Sequence, residues 1–179
     1  MIMKKIKLVE PSLNYEHQIL EYRSEFLSNN DSMDGTSFLS RYSDVKQWLA
    51  FIEKNHHEET VIDGLVLATE FLAVRVADNQ LVGMVDIRHT LNDYLFQIGG
   101  HIGYSVRRSQ WNQGYAKEIL GEALCYSKSL GLERVLVTCD KSNVASAKVI
   151  EFNGGILENE VFDEEEKEYV RRYWISLME

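Results

Sequence analysis

The residues best placed for chemistry lie between Gly99 and Lys117, in the run Gly-Gly-His-Ile-Gly-Tyr-Ser-Val-Arg-Arg-Ser-Gln-Trp-Asn-Gln-Gly-Tyr-Ala-Lys. Its first half, to Val106, reads as a strand. Its second half opens a helix, because Ala116, Ile119, Leu120, Ala123, Leu124 and Leu130 recur at three- and four-residue spacing before Gly131. The first amides of a helix have no partner within it and attract anions. The whole run carries no Asp or Glu but holds Arg107, Arg108 and Lys117, in a chain whose formal net charge is −9. This local reversal of sign points to a polyphosphate ligand. Gly114 is the expected point of close backbone approach, since a side chain there would hold phosphates off the amides.

Val106 followed by Gln113-Gly114-Tyr115-Ala116 resembles the acetyl-CoA signature Gln/Arg-x-x-Gly-x-Gly/Ala of the GNAT acetyltransferases. Gly114 and Ala116 match the pattern. Trp111 stands in place of its Gln or Arg, and Arg108 where many relatives have proline. A second stretch, Asn143-x-x-Ser146 running to Asn153-Gly-Gly155, is similar to the helix after the fifth strand of that family. The wording Gly-Gly-His-Ile-Gly-Tyr-Ser-Val is closest to a bacterial branch of predicted acetyltransferases. The resemblance covers Glu70 to Leu177 well and the N-terminal helices loosely.

This resemblance implies acetyl transfer from acetyl-CoA to a primary amine, by direct attack on the thioester. The strands ending near Val106 and Thr138 would splay, and the pantetheine arm would enter between them almost as an added strand. The Val106 N–H would face the thioester carbonyl, the amides from Gln113 to Lys117 would cradle the pyrophosphate, and Arg107, Arg108 and Lys148 are candidates for the phosphates. For the base, His101 comes first, five residues before Val106, because imidazole titrates near working pH. Glu70 and Asp86 are the runners-up, acting through one water. Many relatives use a tyrosine seven residues after the Asn as the acid, but that position is Ile150. Ser146 is the substitute, with Asn143 bridging to pantetheine amides. Each assignment has a plain alternative: a packed strand histidine, a helix-start serine bonded to backbone, an N-cap asparagine, solvated cations. A non-catalytic acyl-CoA-binding or sensing module is the competing function.

The elements that must position these residues follow from the rest of the chain. Ile6 to Val9 reads as a strand ended by Pro11. Residues 14–28 carry Tyr15, Ile19, Tyr22 and Phe26 at helical spacing, and Ser43 or Asp44 caps a helix with Val45, Trp48, Leu49 and Ile52. These N-terminal helices, about 14–57, are expected to shape the acceptor side. Glu70–Val76, Leu81–Arg88 and 96–106 read as a three-strand meander with a bulge at Gly83. A helix over about 114–130 crosses over to a buried strand at Arg134–Thr138, expected parallel to its predecessor. The helix capped by Ser142 or Asn143 comes next, and Ile156–Phe162 and Tyr169–Leu177 close the chain as a hairpin around an acidic turn. The expected fold is α+β: the GNAT fold, one domain over 1–179 with a mixed, mostly antiparallel twisted sheet of about seven strands and about four helices.

With 179 residues, 45% apolar and 11% aromatic, the chain can build a full core. Its negative charge argues against a nucleic-acid partner. No apolar run approaches the roughly 18 residues that suggest a membrane span. The start Met1-Ile-Met-Lys-Lys lacks a signal peptide's apolar core, so a cytoplasmic location is expected. Cys125 and Cys139 lack metal-ligand spacing and read as packed thiols, no metal is expected, and His56-His57 read as a solvated helix end. The expected partners are a small-molecule or peptide amine and, as an open question, a second copy in a homodimer.

Overall fold

A computed structural model describes residues 3–178; Met1, Ile2 and Glu179, the extreme ends of the expected domain, lie outside the described residues. In order the chain forms β1 (Ile6–Val9), α1 (Glu16–Asn29), α2 (Val45–Asn55), β2 (Ala68–Arg75), β3 (Leu81–Arg88), β4 (Ile102–Val106), α3 (Tyr115–Ser129), β5 (Arg134–Asp140), α4 (Val144–Phe152), β6 (Ile156–Asp163) and β7 (Glu168–Ser176). The α+β class, and the seven strands and four α-helices among the described residues, agree with the sequence pattern.

Strand β3 sets the layering. Every residue from Leu81 to Ile87 is buried, so both faces need cover. On one face, α3 contributes Ile119, Leu120 and Ala123 to a core shared with Val85 and Ile87 of β3, Ala73 of β2 and Ile150 of α4. On the other, α1 and α2 bring Ile19, Tyr22, Phe26, Val45 and Trp48 against Leu72, Val74 and Met84. Each fully buried aliphatic side chain contributes about 2 kcal/mol. Within this apolar run Asp86 is the exception.

The strands form two antiparallel sheets, in the order β1-β2-β3-β4 and β5-β7-β6. The register places Glu70 opposite Asp86, and Asp86 opposite Gly103. The bulge falls beside Gly83: Ala73 pairs with Gly83 and Val74 with Leu81, which leaves Val82 extra.

Two expectations change at the root of β4. The strand starts at Ile102 rather than at residue 96, because Leu95–Gly99 winds into a π-helical turn whose first amide is capped by Asn92 Oδ1 at 2.9 Å. Gly100 then turns with φ +68, where a Cβ would come within 2.7 Å of the Leu136 carbonyl; only glycine lets the chain pass this close to β5. Nor does β5 continue the sheet as a parallel neighbour of β4. The two strands meet at their root, where the His101 N–H donates to Leu136 O (2.7 Å) and the Leu136 N–H donates to His101 Nδ1 (2.9 Å). Beyond it they belong to separate sheets and open into a V. Cys139 is buried as expected, whereas Cys125 is exposed on α3.

Candidate active site

The V is a cleft of about 1510 Å³. Its β4 wall follows from strand alternation. The Arg88 N–H donates to His101 O and the Arg107 N–H to Val82 O, so with a period of two the backbone groups of Gly103 and Ser105 turn to β3 and those of Tyr104 and Val106 turn to the open side. The Val106 N–H therefore faces the cleft. The Val106 carbonyl takes the Trp111 indole N–H at 2.7 Å, so the tryptophan lies across the mouth, with Arg108 stacked on its ring.

At that mouth α3 begins. Gly114 is its N-cap residue with φ +84, a left-handed conformation that glycine adopts without strain, and no side chain caps the helix among the described residues. Gly114, Tyr115, Ala116 and Lys117 line the cleft with their amides uncapped, and Lys148 joins them from α4. Lys5, which the sequence reading passed over, donates to the Gln113 carbonyl at 3.0 Å and adds a cation beside the turn.

Several expected phosphate ligands are engaged elsewhere. Arg107 is buried and pairs through Nε with Glu25 of α1 at 2.6 Å, tying β4 to that helix. Arg108 pairs with Asp31. The Tyr115 hydroxyl accepts from Arg75 at 3.3 Å, and the Gln113 side chain donates to Gln110 at 3.3 Å. Lys117 lies over the Phe152 ring, 4.3 Å from its centroid. These side chains brace the loop, and backbone amides are what it presents to the cleft.

On the α1/α2 face of the same wall lies a pair of carboxyl groups. Glu70 and Asp86 are each 6% exposed and sit opposite one another on β2 and β3. Glu70 Oε2 accepts from the Ser37 hydroxyl at 2.7 Å, and Asp86 Oδ2 pairs with Arg88 Nε at 2.8 Å. Glu70 Oε1 and Asp86 Oδ1 are buried with no hydrogen-bond partner among the described residues. Burial, and then the Asp86 charge, pushes the Glu70 carboxyl well above its ordinary range. Asp86 is also raised by burial, with Arg88 pulling in the opposite direction. Asp86 and Arg88 line the cleft.

His101 has a different setting. The residue is 7% exposed, its Nδ1 is the acceptor for the Leu136 amide, and burial followed by the Arg88 charge holds its pKa at about 4. The acceptor bond fixes the neutral tautomer with hydrogen on Nε2. The lone pair that a base needs is already committed to the joint between the two sheets.

On the far wall Asn143 is the N-cap of α4, its Oδ1 accepting from the Ser146 N–H at 3.0 Å. Ser146 Oγ lies 2.8 Å from the Tyr104 hydroxyl, which crosses from β4. Ile150, where a family tyrosine would stand, is fully buried in the core.

The model of the acetyltransferase (GNAT) domain matches residues 16–156. The chain belongs to the GNAT acetyltransferase family. Among solved structures it is similar to a GNAT-family acetyltransferase from Bacillus anthracis, at 20% identity and a TM-score of 0.64, over 99% of this chain and 98% of that one. It also matches the spermidine N-acetyltransferase of Vibrio cholerae at 17% identity and a TM-score of 0.66, over 97% and 94%. A third match is the microcin C7 self-immunity acetyltransferase in complex with acetyl-CoA and AMP, at 16% identity and a TM-score of 0.69, over 97% and 93%. At these identities the likeness shows the fold. No curated protein matches the chain.

In this GNAT acetyltransferase Tyr104 and Ser37, like Lys5, contribute cleft contacts that the sequence reading does not single out. Tyr104 could have been found from its spacing, since it lies two residues before Val106 and its side chain shares that residue's face. Ser37 had no local signal, because its partner Glu70 is 33 residues away. Among the described residues, no three His, Cys, Asp or Glu side chains gather to hold a metal ion, and no helix is long and apolar enough to cross a membrane.

Proposed function

We propose that the protein transfers the acetyl group of acetyl-CoA to a cationic amine by direct attack, with the Asp86–Glu70 pair as proton acceptor. One juxtaposition carries this reading: an open β4 edge and an uncapped helix N-terminus on one side, and on the other a buried carboxyl pair with two unpartnered oxygens. The first suits a pantetheine arm and its pyrophosphate. The second suits an ammonium group, whose several N–H donors could satisfy both oxygens at once.

In this mechanism the acceptor enters over the α1/α2 face and its ammonium meets Asp86. Arg88 keeps Asp86 the more readily ionised of the two, while Glu70 holds its proton. Asp86 removes one proton, directly or through a water, and the free amine attacks the acetyl carbon. A raised carboxyl pKa lies closer to neutrality and makes the better base. The N–C bond forms as the carbonyl π pair moves to oxygen, where the Val106 N–H receives the developing charge. Collapse re-forms the carbonyl and breaks the C–S bond, the electron pair leaves on sulfur, and the nitrogen gives up its second proton to solvent. The amides of residues 114–117, with Lys148, would hold the phosphates. His101 has a positioning role here, joining the sheets at the apex of the V.

The test is thermal unfolding with acetyl-CoA, with ATP and NAD as anion controls, followed by thiol release with a panel of amines. Spermidine comes first in the panel, since a fold neighbour is a spermidine N-acetyltransferase. Acetyl-CoA at 100 times its dissociation constant should add about 2.7 kcal/mol, roughly 5–10 °C for a domain of this size. An equal shift with every nucleotide, or no thiol release with any amine, would overturn the proposal.

A further inference from the structure

The departing sulfur needs a proton, and the sequence lacks the α4 tyrosine that supplies it in many relatives. We infer that Tyr104, reaching across the cleft from β4, restores that phenol as the outer member of a Tyr104–Ser146 relay that protonates the thiolate of coenzyme A. This rests on the acetyl-transfer reading and extends it to the leaving group.

Three observations converge. The Tyr104 hydroxyl and Ser146 Oγ are 2.8 Å apart although 42 residues separate them, so tertiary structure made the pair. Tyr104 lies two residues from Val106 on the same strand face, and both line the cleft together with Ser146; the groups that would meet the acetyl oxygen and the sulfur are thus built on one wall and bridged to the other. Ser146 is in the first turn of α4, its N–H held by Asn143 Oδ1, and the positive end of a helix favours a thiolate. Burial raises the Tyr104 phenol above its ordinary range, and the nearby Cys139 thiol is pushed up to about 11, so both keep their protons at neutral pH.

The step balances as follows. As the C–S bond breaks, its electron pair stays on sulfur and Ser146 Oγ gives its proton to it. The Tyr104 O–H refills Ser146, and solvent returns a proton to the phenolate. Tyr104 must donate to Ser146 for the serine hydrogen to be free to point at sulfur.

Two readouts test the relay, using the full chain and the amine that gives the fastest thiol release. In Tyr104→Phe, kcat should fall roughly 10²-fold, the scale of a lost general acid, with KM for acetyl-CoA within about twofold and the melting temperature close to wild type. Ser146→Ala should fall at least as far, and the double variant no further, because the two hydroxyls act in series. Independently of any acceptor, the ultraviolet thiolate absorbance of bound coenzyme A should titrate about one unit higher in Tyr104→Phe than in wild type, a tenfold change in the thiol–thiolate equilibrium. An active wild type in which Tyr104→Phe keeps its kcat, or in which the two losses multiply, removes the relay and leaves the acetyltransferase reading intact. A wild type that releases no thiol with any amine removes both.

Discussion

Replacing His101 separates its structural role from a catalytic one. In His101→Ala the Leu136 amide, in a fully buried residue, loses its acceptor, which costs about 1–3 kcal/mol, and the vacated ring volume adds about 1 kcal/mol. The sum of about 2–4 kcal/mol lowers the melting temperature by roughly 5–15 °C in a domain of this size. His101→Asn places a carbonyl oxygen where Nδ1 stood and should recover about half the loss. The pH dependence adds a second signature. The folded pKa is about 4 against the usual 6.5, so between these values the unfolded chain binds a proton that the folded chain does not. The stability linked to His101 is therefore complete above pH 6.5 and is lost as pH falls toward 4, by about 3 kcal/mol. His101→Asn lacks this titration, so the lead of about 1–2 kcal/mol that wild type holds at neutral pH should vanish and then reverse as pH falls toward 4. At 25 °C, kcat of His101→Asn should stay within about threefold of wild type. A His101→Ala protein that keeps its melting temperature but loses about 10²-fold or more in kcat, unrescued by Asn, would show that the ring is the base.

Asp86→Asn keeps a hydrogen bond to Arg88 but no basic oxygen, so kcat/KM at pH 7 should fall about 10²-fold or more, as measured by thiol release. Glu70 is raised, which means that a cost to folding builds up as pH rises above 4.5 and is complete at its folded pKa. Glu70→Gln should therefore melt higher than wild type at pH 8, and the difference should shrink as pH falls toward 4.5, the ordinary value. Gly114→Ala puts a side chain at φ +84 and should cost about 1–2 kcal/mol in denaturant unfolding, while weakening acetyl-CoA at least about tenfold by calorimetry. Trp111→Phe removes the indole N–H from the Val106 carbonyl, so acetyl-CoA should bind a few-fold tighter and the fluorescence change on binding should shrink; unchanged affinity would show that the indole does not compete with the cofactor.

Much of this protein is legible in one dimension, for a local reason. Helix periods, caps such as Asp44 and Asn143, and the glycine turn before α3 each depend on residues within about four positions, so composition and spacing reveal them. The turn proposed to bind the phosphates is readable because its instrument is the backbone, whose N–H groups need only a strand, a flexible Gly114 and a helix start. The Asn143–Ser146 cap belongs to the same class.

Side-chain roles needed partners brought together by the fold. Arg107 and Arg108 look like phosphate ligands beside that turn, until α1 and the segment after it supply Glu25 and Asp31 from about 80 residues away. His101 looks like a base by its type and place, until the approach of β5 commits its acceptor nitrogen to Leu136. Asp86 gains its meaning from the opposing Glu70 and the loss of solvent around both, and Tyr104 from Ser146 across the cleft. The sequence by itself determined the fold class, the order of elements and the backbone cradle, because these rest on near-neighbour sterics and hydrophobic periodicity. Only the tertiary structure decided which acids, bases and cations remain available, because a lone pair or a charge is spent or spared by whatever the fold places within hydrogen-bond reach.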